Sequence, residues 1–287
     1  MNPGGAFDDP RGAAAVPHAV LKVFRSDAIE TLDQLAVEEP LEIRLGGLAF
    51  TVTMRTPGHD EDLTAGLLLS EGVIRGVDNL DVIARYPGPV GEAEPGNVIN
   101  VLLKGDVHAA RERLRRSLVA SSACGVCGKV TIDSIRIACD PIVSDAVAPS
   151  ELFPRLASTM SAAQSTFDRT GGLHAAALFD LDGRLLVLRE DVGRHNAVDK
   201  VVGHMVRADR LPLDRHILLV SGRASFEIMQ KAWAARIPIV AAVSAPSSLA
   251  VQMAFTAGIT LVGFLRAGRF NVYAGAHRVT PAAAELV

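Results

Sequence analysis

The chain has 287 residues, 49% of them hydrophobic, and a formal charge of -3, enough for one large core or two modest ones at ~100–200 residues per domain. That charge excludes a broad electrostatic affinity for nucleic acid, and no run of about 18 apolar residues is present to form a membrane-spanning helix. Its 3 cysteines are too few for a disulfide scaffold.

The N-terminus, Met1 to Gly12, is polar and carries Asp8 and Asp9, where a secretory signal needs a basic stretch and an apolar core. The protein is therefore expected in the cytoplasm, with residues 1–19 disordered. Residues 20–143 read as a small α+β unit. Apolar and polar residues alternate in Leu41 to Leu45 and Phe50 to Met54, and Gly46-Gly47 supplies a hairpin turn. Asp60, Glu61 and Asp62 open a helix that stops at Gly72. A strand over Val98 to Leu103 and a helix bearing Arg111, Arg113, Arg115 and Arg116 follow.

That helix leads into Cys124-Gly-Val-Cys127-Gly128-Lys129, where glycines give the backbone freedom around a close pair of thiols. Structural zinc needs four ligands, and no second pair exists to complete the set. A thioredoxin-like pair would follow a strand inside a βαβ unit, and that context is missing. Two buried hydrophobes fit poorly beside Ser121-Ser122 and the glycines. The preferred reading is a loop thiol whose cationic neighbours favour the thiolate.

Residues 144–287 are more regular. A helix is expected over Leu152 to Thr166, then a hairpin of Ala175 to Phe179 and Leu185 to Leu188 turning at Asp182-Gly183, then a helix from about Gly193. Three apolar strands, Ile217 to Ser221, Ile239 to Ser244 and Thr260 to Phe264, alternate with helices Phe226 to Ala235 and Ser247 to Ala257. Such runs belong to a parallel sheet covered on both faces. The fold class expected is α/β, a cytidine-deaminase-like mixed sheet with helices on both faces, beside the smaller N-terminal α+β unit. Deaminase zinc chemistry needs His-x-Glu and Pro-Cys-x-x-Cys at two strand ends; this chain has His195-Asn-Ala and Ser221-Gly-Arg-Ala-Ser there, so no metal site is expected.

Ligands of open α/β sheets bind beyond the carboxyl ends of the strands. Those ends read Ser221-Gly222-Arg223-Ala224-Ser225, Ser244-Ala245-Pro246-Ser247-Ser248 and Phe264-Leu265-Arg266-Ala267-Gly268-Arg269. Two of them open helices whose free N–H groups favour phosphate, and the third brings arginines that hold phosphate oxygens in pairs. Ordinary serine capping is the competing explanation for each loop taken alone. His174 and His195 are either core residues donating to carbonyls or hydrogen-bonding groups lining this pocket.

Five segments carry a family resemblance: Cys-Gly-Val-Cys-Gly at 124–128, Leu-Leu-Leu-Ser-Glu-Gly-Val-Ile at 67–74, Glu-Asp-Val-Gly-Arg-His-Asn-Ala-Val-Asp-Lys at 190–200, Ser-Gly-Arg-Ala-Ser-Phe-Glu at 221–227 and Gly-Phe-Leu-Arg-Ala-Gly-Arg-Phe-Asn-Val-Tyr at 263–273. In combination, over about residues 20–280, they resemble the FdhD family of sulfur carriers for formate dehydrogenase. The resemblance implies that a cysteine desulfurase supplies sulfur, that Cys124 carries it as a persulfide with Cys127 as companion, and that the acceptor is the molybdenum bis-(molybdopterin guanine dinucleotide) cofactor. It places that cofactor on Phe264 to Arg269, makes guanosine diphosphate (GDP) a fragment ligand, and implies a homodimer with formate dehydrogenase as client. The alternative is a non-catalytic chaperone that binds the molybdenum cofactor.

Overall fold

The computed structural model describes residues 13–25, 27–86, 96–104, 140–266 and 268–281. Four sheets organise them. Strands β1 (Ala15–Phe24) and β2 (Asp27–Ala36) form a two-stranded antiparallel ribbon paired from Ala15↔Ala36 to Phe24↔Asp27. Residues 15–19, expected to be disordered, are thus the first half of a strand, held by a continuous backbone ladder.

The next sheet has the order β4-β3-β6-β5, from β3 (Glu39–Leu45), β4 (Leu48–Arg55), β5 (Leu80–Arg85) and β6 (Val98–Leu103). The expected hairpin of β3 and β4 is there, turning through Gly46 and Gly47 at φ 57° and 81°. Leu41, Ile43, Leu45, Ile99 and Val101 point inward from it and are fully or almost fully buried. Helix α1 (Asp60–Ser70) follows β4 and stops where Gly72 takes φ 72°. No helix among the described residues is long and apolar enough to cross a membrane.

The third sheet carries the expected strand-end loops. Its order is β13-β12-β11-β10-β8-β9, from β8 (His174–Asp180), β9 (Leu185–Asp191), β10 (His216–Val220), β11 (Ile239–Ala242), β12 (Thr260–Arg266) and β13 (Arg269–Ala274). Strands β10, β11 and β12 are parallel, while β8, β9 and β13 run antiparallel to their neighbours. Helices α4 (Arg194–Arg207), α5 (Phe226–Ala234) and α6 (Ser248–Ala257) pack with one face of this sheet, through Ala176, Leu178, Leu218, Val220, Val240 and Leu261. Helix α2 (Leu152–Ala163) packs on the other, against Ala177, Phe179, Ile217, Leu219 and Ile239. Both faces are covered, which is why these strands read as unbroken apolar runs. The helix expected to continue to Thr166 instead breaks at Gln164, whose ψ of 67° is not helical, and resumes as α3 (Ser165–Thr170). Short strands β7 (Ala148–Pro149) and β14 (Val279–Thr280) pair in parallel.

The first core cluster runs across the boundary expected near residue 144. It joins the inner face of the four-stranded sheet and α1 to α4, α5 and α6. Helices α1 and α4 touch backbone to backbone: a Cβ on Gly66 would lie 2.0 Å from the Asp199 carbonyl oxygen, and one on Gly203 would lie 1.8 Å from that of Asp62.

Candidate functional site

The three strand-end stretches form one continuous edge. Ala224 and Pro246 make a parallel bridge, Ser247 N donates to the Ala224 carbonyl at 3.0 Å, and Phe264 N donates to the Ser244 carbonyl at 3.1 Å. Gly263 sits where a Cβ would come within 2.9 Å of both Pro246 and Tyr273, so this strand can approach the neighbouring loop only as glycine. Within the edge, some hydroxyls are structural. Ser221 Oγ accepts from Ala175 N at 2.9 Å, and Ser247 Oγ caps α6 by accepting from Ala250 N at 3.2 Å.

The stretch from Phe264 to Arg269 differs from the loop expected. Strand β12 continues through it to Arg266 and turns at Gly268 into β13, with a register shift between Gly263 and Arg266. At that irregularity Phe264 adopts φ 53° and is 42% exposed, a left-handed backbone that is costly for an aromatic residue. Leu265 is 1% exposed and belongs to the second core cluster, so its side chain supports the strand and does not face a ligand. Phe264, Arg266, Arg269, Phe270 and Asn271 line a concavity of about 230 Å³. Arg266 and Arg269 are exposed there, as is Arg223 on the neighbouring turn.

Behind the edge lies a second group. His174 begins β8 beside Gly222, whose Cβ would stand 3.4 Å from His174 Nδ1 and 3.8 Å from Arg194 Cδ. His195, in the first turn of α4, has Nε2 3.2 Å from Ser225 Oγ and 3.7 Å from Glu227 Oε2. Ser225 heads α5 without capping it, which leaves its hydroxyl to this contact. Burial first, and then the ammonium of Lys231, push the His195 imidazole down to about 4, so it is neutral at physiological pH. The His174 imidazole is lowered by burial and by the Arg194 guanidinium. Arg194 Nε is buried and, among the described residues, has no hydrogen-bond partner.

The polar cluster at 190–200 divides between this group and the framework. Asp191 accepts from Gly193 N at 2.8 Å, from Asn196 Nδ2 at 3.0 Å and from Thr56 N at 3.2 Å, and pairs with Lys200 at 2.7 Å. Lys200 also donates to the Thr56 carbonyl at 2.8 Å, and Asn196 to that of Met54 at 2.7 Å. These residues bind the start of α4 to the end of β4, and so aim Arg194 and His195 at the strand-end edge. Asp199 takes Lys231 at 2.7 and 2.8 Å and Ser70 Oγ at 2.9 Å.

Of the expected site residues, Ser221, Gly222, Arg223, Ser244, Ser247, Phe264, Leu265, Arg266, Gly268 and Arg269 therefore lie along one edge, with His174 and His195 behind it. Cys124, Cys127 and Ala267 lie outside the described residues. Arg194 and Glu227 were not singled out, although both fall inside the quoted motifs; a charged residue at a helix start beside a strand end was the available cue. Among the described residues no three His, Cys, Asp or Glu side chains come together as a metal site.

The FdhD/NarQ family model matches residues 36–280. The chain belongs to the FdhD/NarQ family. It is 50% identical over 267 residues to a Streptomyces avermitilis protein named sulfur carrier protein FdhD, covering 91% of this chain and 94% of that one. A Mycobacterium tuberculosis protein of the same name is 46% identical over 275 residues, covering 93% and 99%. The fold is that of a crystal structure from Desulfotalea psychrophila, provisionally assigned as a formate dehydrogenase accessory protein: TM-score 0.72 at 23% identity, over 93% of this chain and all of that one. All five motifs of the resemblance fall inside the matched FdhD/NarQ span.

Proposed function

We propose that the protein is a sulfur carrier. It takes sulfur from a cysteine desulfurase as a persulfide on Cys124 and delivers it to the molybdenum of bis-(molybdopterin guanine dinucleotide), the substrate that formate dehydrogenase then uses. Near-complete alignment with relatives named sulfur carrier protein FdhD supports the sulfur chemistry. The observation that carries the acceptor is the joined edge of three strand ends, with exposed Arg223, Arg266 and Arg269 beside Phe264. Guanidinium groups hold phosphate oxygens in pairs and an aromatic face stacks on a base, which suits a large anionic dinucleotide.

In the loading step the Cys124 thiolate attacks the outer sulfur of the donor persulfide, the donor S–S bond breaks, and the desulfurase cysteine leaves as a thiolate. Cys127 assists release. The order β9-β8-β10-β11-β12, an antiparallel hairpin feeding parallel strands, supports a cytidine-deaminase-like scaffold in which His195 and the Ser221 to Ser225 turn occupy the zinc positions. On ribbon β1-β2, Leu21, Val23, Phe24, Ile29 and Leu32 are 60–72% exposed, which supports a homodimer. The site of action is the cytoplasm.

The test is Cys124→Ala. It leaves GDP binding intact, gains no persulfide mass after incubation with a desulfurase and cysteine, and fails to support client formate dehydrogenase activity. Full client activity in cells holding only this variant would overturn the relay.

A further inference from the structure

The concavity beside the β12–β13 turn is lined by two arginines, two phenylalanines and one amide: Phe264, Arg266, Arg269, Phe270 and Asn271. At about 230 Å³ it is smaller than the roughly 300–1,000 Å³ of sites that enclose a whole drug-sized ligand, so it takes one part of a dinucleotide. The arginine side chains are donors without an acceptor, and the phenylalanine rings carry no hydrogen-bonding atom. Among these five side chains only Asn271 carries an acceptor. Its amide is exposed yet held. Asn271 Nδ2 donates to the Tyr273 hydroxyl at 3.3 Å, and the Tyr273 ring lies over Gly263, where a Cβ would stand 2.9 Å from Tyr273 Cε2. With the nitrogen so engaged, Asn271 Oδ1 has no partner among the described residues and is the side-chain acceptor that the concavity offers a ligand.

A ring that pairs with this acceptor must bring N–H groups on its edge. Guanine and pterin share such an edge, a 2-amino-oxopyrimidine with an exocyclic amine next to a ring N–H. Hypoxanthine keeps the ring N–H and lacks the amine, and adenine has a ring acceptor in place of the ring N–H. We infer that Asn271 is the specificity residue that reads the 2-amino-oxopyrimidine edge through Oδ1, with Tyr273 as its positioning residue. Arg266 and Arg269 supply charge for the neighbouring phosphates. This rests on the concavity being a site for a guanine-bearing dinucleotide, as proposed above, and adds the side chain that selects the ring.

The experiment is calorimetry on the full chain with GDP, inosine diphosphate, adenosine diphosphate and free pterin, for the wild type, Asn271→Leu, Asn271→Asp and Tyr273→Phe. The wild type is expected to prefer GDP to adenosine diphosphate, with inosine diphosphate between them. Asn271 is exposed, so its variants keep the fold. Asn271→Leu should weaken GDP about three- to ten-fold while changing adenosine diphosphate little, as for loss of a neutral hydrogen bond. Asn271→Asp keeps the acceptor and should keep the preference for GDP, while its charge weakens both diphosphates; a merely structural role for the amide would not separate the two variants in this way. Tyr273→Phe frees the amide and should lower the ratio of GDP to adenosine diphosphate affinity by less than Asn271→Leu does. Arg269→Ala, by contrast, should weaken both diphosphates alike. A fall confined to pterin in Asn271→Leu would identify the pterin ring as the source of the edge. Unchanged guanine preference and unchanged pterin binding in Asn271→Leu, or a loss of preference in Asn271→Asp as large as in Asn271→Leu, would overturn the assignment of Asn271 alone. A wild type that does not distinguish the two diphosphates and does not bind pterin would remove the pocket reading, and this inference with it.

Discussion

The imidazole of His195 is neutral because burial and Lys231 oppose its charging, and this has a consequence for stability. Its folded value of about 4 lies below the ordinary 6.5, so between these values the unfolded chain binds a proton that the folded chain refuses. Stability therefore rises with pH through that window and falls on acidification from about 6.5 toward 4. The share due to this one group is roughly 1–3 kcal/mol. Denaturant midpoints at pH 7.5 and 5 should drop more for the wild type than for His195→Gln; parallel drops in the two would show that His195 does not titrate there. The sequence places this histidine at a strand-to-helix turn, yet its state depends on burial and on Lys231, far along the chain. Ser221 and Ser247 show the opposite limit. Their type and spacing suggested phosphate, and their hydroxyls hold Ala175 N and Ala250 N.

Helix α1 was readable as a helix from its acidic first turn and terminal glycine, but not its partner. Its polar and apolar residues do not separate into two faces, and nearly every position is buried, so periodicity gives no preferred face. What fixes the contact is the glycine pair, Gly66 on α1 and Gly203 on α4, which one chain segment shows only as weak helix formers. Gly203→Ala would place its methyl 1.8 Å from the Asp62 carbonyl oxygen, so the helices must separate, at a cost of about 3 kcal/mol or more. Gly76→Ala is the control: nothing lies within 4 Å of that Cβ and its φ of 175° is extended, so it should be neutral. Equal unfolding midpoints for the two variants would contradict the backbone contact. Ribbon β1-β2 escaped notice because neither of its faces is buried in a core, so no clean alternation marks it. Strand β13 was hidden because the sequence after Phe264 reads as loop, while β12 and β13 pair as far as Arg266↔Arg269.

At the scale of the whole molecule, the change in sequence character near residue 144 is real, but it does not mark an energetic boundary. The larger core takes Leu41, Ile43 and Ile99 from one side of it and Val198, Leu218 and Leu261 from the other. Buried polar links cross it as well: Lys200 to the Thr56 carbonyl, Asp199 to Ser70, and Arg189 to Asp62 at 3.0 Å. The described framework should therefore unfold as one cooperative unit, giving a single calorimetric transition whose van't Hoff and calorimetric enthalpies agree. Lys200→Met tests the linkage. It leaves Asp191, fully buried, without its cation, and removes the bond to the Thr56 carbonyl just past β4; breaking a buried pair in this way costs about 3–5 kcal/mol. Because both members of the pair also bond the Thr56 backbone in the other part of the chain, the whole transition should move to lower temperature without splitting. A second transition in the wild type, or a shift in Lys200→Met confined to one of two resolved peaks, would show that the parts fold independently and that the shared core does not couple them.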